Sequence, residues 1–220
     1  MAFFRRSSQP TPGTFPGIPA REQRLLIRES DRSNYTSHGY RALTSYAYAK
    51  DIIPGKLLGL IHDQLTDRDP PERSAVQVGV HDVDLERGVA TVLGEKYSKS
   101  MGTLGPLLPR SGEITLAERQ LRSVLLFSDD GEQAERRRVE RVVALAQEYA
   151  QQVPTLDALR RRVVRQLSSE RLATGHRVRL ALAGAWTGEY GIADRMAEEL
   201  TALCPAPALE RLRELQSRQP

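Results

Sequence analysis

Arginine offers the clearest chemical opportunity in this chain. Of 32 basic residues only four are lysines (Lys50, Lys56, Lys96 and Lys99), which leaves 28 arginines. A guanidinium grips phosphate or carboxylate through two parallel N–H donors, which an ammonium cannot do. Two clusters stand out: Arg136-Arg137-Arg138 with Arg141, and Arg160-Arg161-Arg162 with Arg165. Glu132, Glu135 and Glu140 are interleaved with the first cluster, which predicts internal ion pairs there. The second lies in the stretch from Thr155 to Leu180, where seven arginines face only Asp157 and Glu170, an excess of five. Arg177 and Arg179 extend that patch if their segment folds back, and Arg5 and Arg6 lie in a start that carries no acid up to Ala20. Arg5, Arg6, Arg160, Arg161, Arg162, Arg165, Arg177 and Arg179 are therefore the candidate polyanion-binding residues. A solvated helix face is the plainer alternative for both clusters.

Other chemistries find less support. Lys96-Tyr97-Ser98-Lys99-Ser100-Met101-Gly102 resembles the mobile loop of class I aminoacyl-tRNA synthetases, whose lysines stabilise adenylate formation. The likeness covers seven residues, and the His-x-Gly-His element of that family occurs nowhere upstream. The segment reads as a flexible basic loop. No Gly-x-Gly-x-x-Gly and no Gly-Lys-Ser/Thr phosphate cradle is present. His81-Asp82-Val83-Asp84 would put two carboxylates on one strand face, but acids beside a turn are ordinary turn formers. The single cysteine, Cys204, excludes an internal disulfide and a cysteine-based zinc cluster, and it sits in no nucleophile motif. No Gly-x-Ser-x-Gly elbow occurs. No catalytic residue, metal ligand or cofactor is expected, and the chain reads as non-enzymatic.

The elements that must hold these residues follow from periodicity. Ser7 to Pro19 is rich in Ser, Pro and Gly and has no period, so residues 1–39 are expected to be a flexible basic arm. Its acid-poor, Arg- and Ser-containing start also fits a mitochondrial transit peptide. Tyr40, Leu43, Tyr46 and Ala47 recur at helical spacing, and Leu57, Leu58, Ile61 and Leu65 predict a second short helix after Pro54. Val76, Val78 and Val80 then alternate, Val89, Thr91 and Leu93 follow, and Asp84 to Gly88 supplies turn residues. Residues 75–94 therefore predict a β-hairpin. Thr115 and Glu118 fit a capping box for a further helix. Helices are expected over about 132–152, from Thr155 to Leu167, from Thr187 to about Leu203 and after Pro207, with 176–186 ambiguous between strand and helix.

With 220 residues, 24.6 kDa, 40% hydrophobic and 27% charged side chains, the chain suits one helix-dominated α+β domain over residues 40–217. The longest apolar stretches, such as Val124 to Phe127, are too short to span a bilayer. Aromatics at 5% leave few platforms for stacking bases, so any nucleic acid would be held by its backbone. The function expected is structural: a homo-oligomerising assembly protein that binds other protein subunits and a polyanion such as RNA or DNA. A virion matrix or coat component has such a build, and an intracellular, cytoplasmic or virion-associated setting goes with it. The competing expectations are an accessory subunit of a larger complex, in the mitochondrial matrix if the start is a transit peptide, and an enzyme with an unrecognised site.

Overall fold

The computed structural model describes residues 19–65, 73–99, 113–114, 131–167 and 172–218. Helix α1 (Ala20–Ser37) leads into an antiparallel sheet of β1 (Arg41–Ala42), β2 (Ala47–Ile53), β3 (Leu57–Leu65) and β4 (Arg73–Asp82). Helix α2 (Val83–Leu93) follows, and β5 (Glu113–Ile114) pairs with β4 to complete the order β1-β2-β3-β4-β5. The chain then continues through α3 (Gly131–Gln151), α4 (Leu156–Leu167), α5 (Thr174–Trp186), α6 (Tyr190–Thr201) and α7 (Ala206–Ser217). The expected class, helix-dominated α+β, is what forms. No helix among the described residues is long and apolar enough to cross a membrane.

The alternation of β4 works as its valines suggest. Val76, Val78 and Val80 point to the main core with Leu57 and Ile61 of β3, Tyr48 of β2, and Val139, Val142 and Val143 of α3. The opposite face of the sheet holds a smaller cluster of Ala49, Leu58 and Leu60 with Val83, against which Leu43 and Tyr97 pack. Both faces of β3 are thus buried, so its sequence carries a continuous apolar run instead of an alternating one. That is why Leu57, Leu58, Ile61 and Leu65 imitate a helical stripe. The expected helix is a strand, turned back on β2 at Pro54-Gly55-Lys56, where Gly55 takes a φ of +70°.

Three further expectations are corrected. The 75–94 hairpin does not form, because only its first half is strand and residues 83–93 are α2. Asp82 decides this: its Oδ1 accepts from the backbone N–H of Asp84 and of Leu85, both at 3.0 Å, which caps a helix. Gly94, at φ +70°, closes α2 in the left-handed conformation. Strand β4 pairs instead with β3 and β5. The arm is also shorter than expected, because residues 20–37 form α1, with Ile27 and Tyr35 fully buried. Its inward positions are Gln23, Ile27, Asp31 and Tyr35, at four-residue spacing. Two of those four are polar, so no apolar stripe reveals the helix in the sequence. The Tyr40–Ala47 helix is likewise replaced by β1 and the start of β2. The helix expected after Thr115, and Arg5 and Arg6, lie outside the described residues.

Helix α5 is the axis of the C-terminal half, with Val178 to Ala185 buried throughout. It contacts α2, α4, α6 and α7. At Gly184 a Cβ would stand 3.2 Å from the backbone of both Glu189 and Ala193, so this glycine lets α6 close tightly against α5.

Candidate polyanion-binding surface

The expected patch on α4 and α5 is largely taken into the fold. Arg160 is buried, and its Nε donates to Asp82 Oδ2 at 2.7 Å while its guanidinium lies 4.6 Å from the Trp186 ring centroid. Arg179 is buried as well, gripping both oxygens of Glu86 at 2.7 Å each. These two pairs tie successive turns of α2 to α4 and α5. They place Arg160 and Arg179 in the interior and not on a common surface.

The remaining candidates are more exposed but mostly engaged. Arg161 donates to Asp157 at 2.8 Å and comes within 4.0 Å of Glu189, and these acids hold its guanidinium pKa above the usual value. Arg162 donates to Gln152 at 3.1 Å and sits 5.6 Å from the Tyr149 ring centroid. Arg177 donates to Glu199 at 2.8 Å and to the Leu172 carbonyl. Arg165 is exposed on the outer face of α4.

In the first cluster the expected internal ion pairs form at Arg138 with Glu135 and at Arg136 with Glu132, but not at Arg137 or Arg141. Arg138 is 2% exposed and binds three carboxylates. Its Nη2 donates to Asp31 Oδ1 at 2.6 Å and to Glu135 Oε1 at 2.5 Å, and its Nη1 donates to Asp63 Oδ2 at 2.6 Å. Tyr35 donates its hydroxyl to the same Asp63 oxygen at 2.9 Å. Burial by itself lowers the Arg138 pKa, but Asp63, Tyr35, Asp31 and Glu135 outweigh it and hold the guanidinium firmly charged. Tyr35 is pushed well above its ordinary range by burial and by Asp63.

Arg138 thus takes Glu135 as its partner, while Arg136 reaches only an exposed Glu132 at 3.4 Å. Arg137 and Arg141 are left on the outward face of α3, exposed and without an ion pair among the described residues. Sequence reasoning passed over these two because the glutamates are interleaved with the whole cluster, and Glu140 stands at helical spacing from Arg137. Glu140 is itself exposed and pairs with neither. Helical spacing permits such a pair but does not require it, since two long solvated side chains lose entropy on meeting.

The motif at His81 also resolves. His81 is buried with its Nε2 2.9 Å from the Tyr97 hydroxyl, and Asp82 serves as cap and as partner of Arg160. Among the described residues no group of three or more His, Cys, Asp or Glu is placed to hold a metal. A shallow open hollow of about 620 Å³ lies at the α5–α6 turn, lined by Gly188, Glu189, Tyr190, Gly191, Ile192 and Arg195. No protein family, curated protein or solved structure matches this chain.

Proposed function

We propose that the protein is a non-enzymatic structural or assembly protein, binding other protein subunits and, through arginine, the phosphate backbone of RNA or DNA. The observation that supports this reading best is the pair Arg137 and Arg141. They stand four residues apart on one face of α3, about 6 Å along its axis, with no internal partner among the described residues. The inner face of the same helix is fixed by Val139, Val142, Val143 and Ala146, so the two guanidiniums project from a rigid base. Unpaired guanidiniums on a rigid helix suit bidentate capture of successive phosphates. Such contacts set affinity and orientation without reading sequence.

Fluorescence anisotropy with a labelled single-stranded RNA, at two salt concentrations, tests the nucleic-acid half of this reading. Reversing both charges, Arg137→Glu with Arg141→Glu, is expected to weaken binding. Each lost contact should also make the log–log salt dependence shallower by roughly 0.7 to 0.9. Reversal of Arg161 and Arg165 is expected to matter less, because Asp157 already answers Arg161. A parent protein that binds no nucleic acid at low salt would favour a purely protein-binding accessory subunit.

A further inference from the structure

We infer that two copies of this chain join head to tail, the outward face of α1 in one docking antiparallel on the outward face of α6 in the next. The inference rests on the assembly half of the reading above and names the surfaces that would carry it. On α1, Leu25, Arg28 and Arg32 are exposed, and Leu25 keeps 51% of its surface in solvent. Neither arginine has an ion pair among the described residues. Arg28 and Arg32 are four residues apart, with Leu25 three residues before them, so all three share one side of the helix.

Helix α6 carries the complementary pattern in reverse order. Asp194 and Glu198 are exposed, four residues apart and without an ion pair among the described residues. Leu203, just beyond the helix end, is also 51% exposed. In an antiparallel apposition Arg32 meets Asp194 and Arg28 meets Glu198, each pair separated by about 6 Å along the axis from the next. Leu25 then falls opposite Thr201, two residues before Leu203, within reach of a contact that would cover two of the large apolar side chains left in solvent. The flanks agree as well. Residues one position further along each antiparallel helix lie on the same side of such a contact, and there Glu29 faces Arg195, both exposed. The alternation of sign disfavours α1 on α1 and α6 on α6, where like charges would oppose each other.

A contact between two different faces leaves one of each unfilled at the ends, so it propagates into a ring or an open fibre and does not stop at a dimer. That is the behaviour an assembly protein requires. It also separates this surface from Arg137 and Arg141, which lie on α3.

Sedimentation velocity over a concentration series at low salt, with nucleic acid absent, tests the contact. The parent is expected to associate progressively and to dissociate as salt rises. Arg28→Glu with Arg32→Glu, and separately Asp194→Arg with Glu198→Arg, should each weaken association on the order of a hundredfold, since like charges then face each other. An equimolar mixture of the two variants should regain association, and so should the chain carrying all four changes. All four substituted residues are exposed, and circular dichroism of each variant checks that it is folded. A parent that stays monomeric, association that neither reversal disturbs, or failure of the mixture to recover overturns the inference. Reversal of Arg28 and Arg32 that abolishes RNA binding while leaving the mass distribution intact also overturns it, and assigns α1 to the polyanion. Since Arg137 and Arg141 are untouched, RNA binding by the parent reports separately on the functional reading.

Discussion

Arg138 Nη1 donates to Asp63 Oδ2 over 2.6 Å, joining α3 to β3 across 75 residues of chain. With Asp31 of α1 on Nη2, one guanidinium joins two helices to the sheet. A buried ion cluster gains little over an apolar core when intact, because its charges have left water. Its effect is specificity. If α1 docks in another register, Asp31 is left buried without its cation.

Removing the cation therefore exposes the full penalty. Arg138→Met should cost about 3–5 kcal/mol of unfolding free energy, since three buried carboxylates lose the positive charge at their centre. Urea denaturation followed by circular dichroism measures it. Arg161→Ala, on an exposed pair, should leave the midpoint unchanged, and equal effects from the two variants would contradict the buried cluster.

Alkaline pH attacks the same core through its phenols. Burial pushes Tyr40 and Tyr149 up to about 12, and Tyr35 is raised well above its ordinary value. The folded state then holds a proton that the unfolded state has released, so stability is complete below about pH 10 and falls as pH climbs toward 12. Tyr40 and Tyr149 contribute about 2 kcal/mol each to that loss. Ultraviolet titration should show these phenols ionising only with unfolding, and a normal, reversible titration of all seven tyrosines would refute it.

The N-terminal boundary can be tested by deletion. Removing residues 1–35 takes away most of α1, including buried Ile27 and Tyr35, and leaves Asp63 and Arg138 without Tyr35 and Asp31. A fall in melting temperature of many degrees is expected. An unchanged temperature would return α1 to the status of a dispensable arm.

What the sequence made legible were short-range patterns. Val76, Val78 and Val80 name β4, and Leu156, Leu159, Val163 and Leu167 name α4, because in each the buried face repeats at the period of its element. What escaped depended on distant partners. The acid for Arg160 lies 78 residues away and the acid for Arg179 lies 93 residues away, so a run of arginines looked like free charge. On α3 the misjudgment ran the other way, since Glu140 looks like a partner for Arg137 in sequence and makes no pair in space. Local spacing sets which pairs are possible, and tertiary packing chooses among them.

Asp82 combines two tasks that mutation can separate. Its Oδ1 caps α2 while its Oδ2 binds Arg160, which lies over Trp186, the single tryptophan of the chain. Asp82→Asn keeps an oxygen for the cap but removes the charge facing Arg160, whereas Asp82→Ala removes both. The Asn variant should retain the helicity of α2 and still lose stability, since a buried guanidinium is left with a neutral partner. The Ala variant should lose about 1 kcal/mol more through the missing cap. Trp186 emission reports the change locally, because a guanidinium released from Asp82 no longer holds its position on the indole. Denaturation midpoints and emission spectra that coincide for Asn and Ala would show that the cap adds nothing, and that only the charge of Asp82 holds α2 in place.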